Sequence, residues 1–102
     1  MLACSKVLHH FPELKREDLP KLQFHATLIK VLAYCYFDKN VIVASKRHYD
    51  KNVGIFAHEV FLHELAHFVA YKLYSCTNHG KAWKSVCYQL GIPARLGIQV
   101  EL

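Results

Sequence analysis

Long apolar runs are missing from this chain. No stretch approaches the about 18 residues that a membrane span requires, so no membrane partner is expected. Glycine and proline are sparse, four and three in 102 residues, which excludes collagen-like and low-complexity architectures. Cys4, Cys35, Cys76 and Cys87 stand apart with no Cys-x-x-Cys pair, which argues against a zinc ribbon or a dithiol redox site. Reduced thiols in a cytoplasmic protein are the expectation. A secretory signal is also lacking, because Met1 to Phe11 carries no long apolar region before charges and Pro12 intervene. Leu2-Ala3-Cys4-Ser5 looks like a lipoprotein cleavage box, but nothing hydrophobic precedes it. Acidic residues are the minority, 8 against 13 basic, for a net charge of +5 with histidines neutral. That balance favours contact with polyanions such as DNA without demanding it. Lys46-Arg47-His48-Tyr49-Asp50-Lys51 is the densest basic stretch and Lys81 and Lys84 form a second group. An ordinary solvated surface accounts for both equally well.

What is present is a hydrophobic fraction of 53% over 102 residues, enough for one globular domain spanning 1–102 with its own core. Within it, Val60-Phe61-Leu62-His63-Glu64-Leu65-Ala66-His67-Phe68-Val69 holds a His-Glu-x-x-His motif. With 8 His and 5 Glu in the chain, shuffling would produce the motif roughly 0.03 times. His63 and His67 are i and i+4, so a helix stacks them on one face about 6 Å apart along its axis, where they can share one Zn²⁺. Glu64 is rotated roughly 100° from His63, beside the metal rather than on it. A carboxylate there can take a proton from a bound water, the arrangement of a metallohydrolase. The competing view is a helix with two surface histidines and a solvated Glu. Leu62, Leu65, Ala66, Phe68 and Val69 count against it, because a helix apolar nearly all round is a buried one. Polar groups inside it need partners.

Around this stretch the chain reads as a mixture of helices and strands. Leu2, Ala3, Val7 and Leu8 suggest a short helix over 2 to about 10. Residues 12–20, between two prolines, read as a solvated loop or one further helical turn. From Lys21 the period becomes two, with Leu22, Phe24, Ala26 and Leu28 facing one way and Lys21, Gln23, His25 and Thr27 the other, as in a half-buried strand. Val31 to Phe37 is apolar on both faces, which suits an inner strand. Asp38-Lys39-Asn40 is a turn in which Asn40 can adopt φ > 0, and Val41-Ile42-Val43-Ala44 returns as the second arm of a hairpin. Residues 45–52 form a charged connection. The motif helix starts near Asn52, whose side chain can cap it, and runs to about Tyr74. After Ser75-Cys76-Thr77-Asn78, a second helix covers Lys81 to Leu90 and stops at Gly91 and Pro93. Gly97 to Leu102 alternates like a short terminal strand. His25, on the polar strand face, is expected to be merely exposed.

A catalytic zinc needs a third protein ligand and an open position. His79 is the candidate, 12 residues after His67 and just past a turn that can fold the next helix back. Cys76 and His58 are the competitors, His58 turned roughly 140° from His63. The alternative for His79 is capping of the following helix. A metzincin layout would place Gly and His where Ala70 and Leu73 stand. A thermolysin-like layout needs a later Glu ligand, and only Glu101 follows His67.

His63-Glu64-Leu65-Ala66-His67, His79-Gly80-Lys81-Ala82-Trp83 and Leu90-Gly91-Ile92-Pro93-Ala94-Arg95 together closely resemble the SprT-like family, which includes bacterial SprT proteins and the eukaryotic protease Spartan. The resemblance implies an α+β, minimal zincin-like fold, with a small antiparallel sheet packed on the motif helix and a second helix carrying the third histidine. It implies a zinc metalloendopeptidase in which His63, His67 and His79 bind Zn²⁺ and Glu64 is the general base. Bacterial relatives usually carry a four-cysteine ribbon after this core; here the expectation is a single domain without one. Relatives linked to DNA cleave proteins crosslinked to or bound on it, so DNA-protein crosslink repair, protein or peptide substrates and a DNA-associated cytoplasmic location are expectations by analogy. Tyr49 and His48 are guesses for oxyanion donors, and the arm at 41–44 for holding an extended peptide. The rival expectation is a non-catalytic, zinc-stabilised DNA- or protein-binding module, with a closed site and Cys76 as fourth ligand.

Overall fold

The computed structural model describes residues 2–27 and 31–94. Ala3 and Val7 lie one helical turn apart, and both are buried on α1 (Leu2–His10). Phe11 prolongs that face, its N–H donating to Val7 O at 2.9 Å before Pro12 ends the helix. Between the prolines runs one 3-10 turn, Arg16–Asp18, closed by a 2.9 Å bond from Lys15 N–H to Asp18 Oδ2.

Three strands follow: β1 (Lys21–His25), β2 (Ala33–Tyr36) and β3 (Val41–Ser45). The order is β1-β3-β2, with β1 parallel and β2 antiparallel to β3, so the sheet is mixed rather than antiparallel. The inner strand is β3, where Ile42, Val43, Ala44 and Ser45 are all buried. The expected inner strand, β2, is at the edge. Its alternation explains the misreading: Ala33 and Cys35 pack against the core while Tyr34 and Tyr36, each 43% exposed, fill the other face. Tyrosine is apolar enough to read as interior, yet its hydroxyl tolerates water. The period-two pattern of β1 also stops early. Ala26 and Thr27 already turn, and Leu28 lies outside the described residues.

Asn40 explains how β1 comes to lie beside β3. Its φ is +53°, the left-handed conformation expected of it. From there its carbonyl accepts from Lys21 N–H at 3.0 Å. Its side-chain Nδ2 donates to Asp18 O and Leu19 O at 3.2 and 3.4 Å. The hairpin turn thus clamps the entry to β1.

The charged connection is itself a helix, α2 (Lys46–Lys51), because Ser45 Oγ accepts from His48 N–H at 3.3 Å and caps its first turn. Lys46 and Asp50 pair on its exposed face. Asn52 does not cap the next helix with its side chain. Instead its Nδ2 donates to His48 O at 2.9 Å and closes the end of α2.

The helix bearing the motif runs from Val53 to Tyr74 in three parts: α3 (Val53–Ile55), a π-helical segment (Phe56–Val60) and α4 (Phe61–Tyr74). It ends at Ser75 (φ +55°), with Ser75 N–H donating to Tyr71 O and Cys76 N–H to Ala70 O, a left-handed cap. Helix α5 (Lys81–Leu90) buries Trp83, Val86, Cys87 and Leu90, spaced i, i+3, i+4, i+7. Gly91 at φ +72° stops it, as expected. Helix α4 packs against α1, α5 and β2, so the core gathers around it. The result is a small α+β fold. Among the described residues no helix is long and apolar enough to cross a membrane. The expected terminal strand at 97–102 falls outside them.

Asn40 carries both a left-handed backbone and a side-chain clamp. We expect Asn40→Ala to lower the unfolding free energy by about 2 kcal/mol, from about 1 of backbone strain and about 1 of lost hydrogen bonding. Asn40→Gly keeps the conformation and should cost about half as much. Equal losses in urea unfolding would refute the backbone contribution.

Candidate metal centre and cleft

Two of the three candidate ligands owe their position to helix geometry alone. His63 and His67 stand one turn apart on α4, half-buried, with ring centroids 5.0 Å apart. The opposite sides of that helix are committed to the core through Leu62, Leu65, Ala66 and Val69. His79, exposed, comes from the turn between α4 and α5. Asn78 Oδ1 accepts from Gly80 N–H at 2.9 Å and tightens that turn. A Cβ on residue 80 would meet the same oxygen at 2.7 Å, so a glycine lets the amide close.

The turn brings His79 onto the other two. One ring nitrogen from each histidine lies within 4.8 Å of the others, and His67 Nε2 approaches His79 Nε2 to 3.1 Å. Burial pushes His63 down to about 4 and His67 down to about 3, helped by the charge of neighbouring histidines. Both rings are therefore neutral near pH 7, each keeping a lone pair, the form a metal ligand must take. A tetrahedral Zn²⁺ with bonds of about 2.0–2.1 Å sets its nitrogens about 3.4 Å apart. The His67–His79 separation lies close to that value, and no separation exceeds 4.8 Å. The donor set fits, and His63, His67 and His79 can hold a metal ion.

Behind the three rings stands Trp83, fully buried. Its indole stacks on His67 (5.1 Å, 17°) and meets His63 and His79 edge-on at 5.0 and 4.5 Å. Such contacts restrict all three imidazoles to one arrangement. The Trp83 indole N–H has no hydrogen-bond partner among the described residues. Sequence reading placed Trp83 in the motif His79-Gly80-Lys81-Ala82-Trp83 and in the apolar spacing of α5, but assigned it no role behind the three rings.

Glu64 lies on the same helix, 8% exposed. Burial raises its carboxyl to about 8, so without a nearby cation it is largely protonated at neutral pH. It opens onto a cleft of about 220 Å³ lined by Tyr34, Cys35, Phe37, Glu64, His67, Thr77 and His79. The Cys35 thiol is pushed up to about 12 by burial and by the Glu64 carboxylate. Nothing in the sequence marked the β2 wall of this cleft, because no motif links it to the helix.

The other sequence candidates lie elsewhere. His58 is exposed on the π-helical segment and does not join the three histidines. Nor does Cys76, whose thiol donates to Asn78 O and Oδ1 at 3.4 Å. Tyr49 packs among Phe24, Phe56 and Phe61, and His48 is buried on α2; neither lines the cleft. His25 is exposed at the end of β1, as expected.

No curated protein and no solved structure matches the chain. The family model described as the SprT-like family matches residues 4–101, a span holding all three strands, the motif helix and α5. Metalloprotease-type activity is associated with that family. By this match over nearly its whole length, the chain belongs to the SprT-like family.

Proposed function

We propose that the protein is a zinc-dependent endopeptidase, with His63, His67 and His79 as the ligands and Glu64 as the general base. One observation carries the reading: three imidazole nitrogens lie within 4.8 Å of one another, and Glu64 borders the cleft that His67 and His79 also line. A three-residue donor set also matches hydrolytic rather than structural zinc sites, which are closed by four. The rival binding module calls for a fourth ligand, for which Cys76 is the leading candidate, and the bonds of that thiol to Asn78 speak against it.

Zinc bound there would supply a Lewis acid that activates water and polarises the scissile carbonyl. The remaining work falls to side chains. Glu64 takes the proton of the attacking water and returns it to the leaving amine. A cation beside it favours the carboxylate and offsets the effect of burial. Trp83 holds the three rings in place.

The peptide itself has an edge to bind. The arm at 41–44 is the central strand, flanked on both sides, and cannot accept another. Strand β2 can. Ser45 N–H donates to Leu32 O at 2.8 Å, which in the register Tyr34↔Val43 and Tyr36↔Val41 makes Tyr34 and Tyr36 the hydrogen-bonded positions. Ala33 and Cys35 then turn their N–H and C=O groups outward, and Cys35 lines the cleft. An extended segment added there runs past Glu64 with its backbone held and little demand on its sequence. We extend the proposal to substrates carried on DNA. It is supported by the net charge of +5 and by the exposed Lys46, Arg47, Lys51, Lys81 and Lys84.

Two measurements test this. Glu64→Gln should keep its zinc by atomic absorption yet lose about 10²–10⁴-fold in cleavage of an unfolded protein, with or without single-stranded DNA. Wild-type turnover in that variant would reject Glu64 as the base. His79→Ala should weaken zinc binding by more than about 100-fold in competition with a chromophoric chelator, since lost supporting contacts alone cost 10–100-fold. Unchanged affinity would remove residue 79 from the ligand set.

A further inference from the structure

The cleft has more in it than the chemistry requires. Of its seven lining residues, Glu64, His67 and His79 belong to the proposed reaction. The remainder, Tyr34, Cys35, Phe37 and Thr77, carry no full charge, and the thiol of Cys35 stays protonated. No lysine or arginine reaches the lining. An acidic side chain would find no basic side chain there and would compete with Glu64 and water for the metal, and a basic one would compete with the metal site for Glu64.

Phe37 gives this wall its character. It is the first residue beyond β2, half-buried, and its ring lies on that of Tyr71 at 4.7 Å and 25°. Tyr71 follows His67 by four residues, so it stands on the same face of α4 one turn further on. Phe37 is thus braced from below by the helix that carries the ligands. Tyr71 stands about 6 Å past His67 along the axis, and the ring of Phe37 lies against it. Extended chain covers that in about two residues.

Resting on the peptidase reading, the geometry points to Phe37, braced by Tyr71, as a specificity-determining residue that receives one bulky apolar side chain of the substrate within two residues of the scissile bond. The cleft volume of about 220 Å³ is below the roughly 300–1,000 Å³ of sites that enclose whole ligands. It accommodates one large side chain, so discrimination falls on a single position. Elsewhere along the substrate the β2 edge contacts only backbone. The substrate class is therefore unfolded segments rich in Phe, Tyr, Leu or Met, which folded proteins keep inside.

Two arms test this. In the first, zinc-loaded wild type and Phe37→Ala digest an unfolded protein and the cleavage sites are mapped by mass spectrometry. Wild type should favour Phe, Tyr, Leu or Met over Ala at one position near the cut. Phe37→Ala should shrink that preference about tenfold. Phe37→Leu should restore it for aliphatic residues, which excludes misfolding as the cause. In the second arm, zinc-loaded Glu64→Gln and Glu64→Gln/Phe37→Ala bind short peptides differing by Phe or Ala, read by fluorescence anisotropy. The Phe peptide should bind about tenfold tighter to the first protein only. A flat profile in wild type, or a preference that survives Phe37→Ala in either arm, overturns the subsite. Cleavage without preference sinks the subsite and spares the peptidase reading. Selective binding without any cleavage does the reverse.

Discussion

Everything at this site depends on how two imidazoles are held on a helix that cannot turn. Leu62, Leu65, Ala66 and Val69 fix α4 by its buried sides. Rotating the helix to move His63 or His67 would drag those side chains into water, each at about 1.5–3 kcal/mol. The third ring arrives by a different route, on a turn that has little packing of its own. That turn is set by the left-handed Ser75, by the Asn78 amide and by the bare Cα of Gly80. Trp83, at the start of α5, then closes the rear of all three rings. A rigid pair and a returned single make up the cluster.

Burial gives the site its electrostatic character. It lowers the affinity of His63 and His67 for protons and raises that of Glu64. All three shifts share one leading cause, the cost of charge away from water, to which neighbouring histidines add for His63 and His67. The consequence is a set of neutral groups that a single divalent cation can reorganise. The imidazoles are already in their ligand form, and a neighbouring positive charge favours the carboxylate. Burial and metal affinity are therefore complementary here.

Much of this was legible in the amino-acid order, and the reasons are local. The i, i+4 spacing of His63 and His67, the apolar periods of α4 and α5, the positive φ at Asn40 and the stop at Gly91 are all properties of a few adjacent residues. The convergence of His79 was legible too, because a short break between two helices leaves few ways to return. What escaped was non-local or degenerate. Tyr34 and Tyr36 made an edge strand look like an interior one. The parallel pairing of β1 with β3 depends on Asn40 reaching back to Leu19 and Lys21, a contact some twenty residues away. Asn52 was expected to accept from the helix after it and donates to the one before. The identity of a side chain does not say which neighbour it will choose. The cleft wall at Tyr34, Cys35 and Phe37 was invisible for the same reason: it exists only once the sheet has met the helix.

The π-helical segment Phe56–Val60 lies immediately before the motif. Such a turn spreads its hydrogen bonds over i→i+5 and so holds one residue more than an α-turn would. It works as slack in the chain between the Asn52 junction and the ligand helix. Its two ends stay seated on the core through the buried Phe56 and Val60. The extra residue is thus taken up between two fixed points, upstream of the turn that carries His63 and His67.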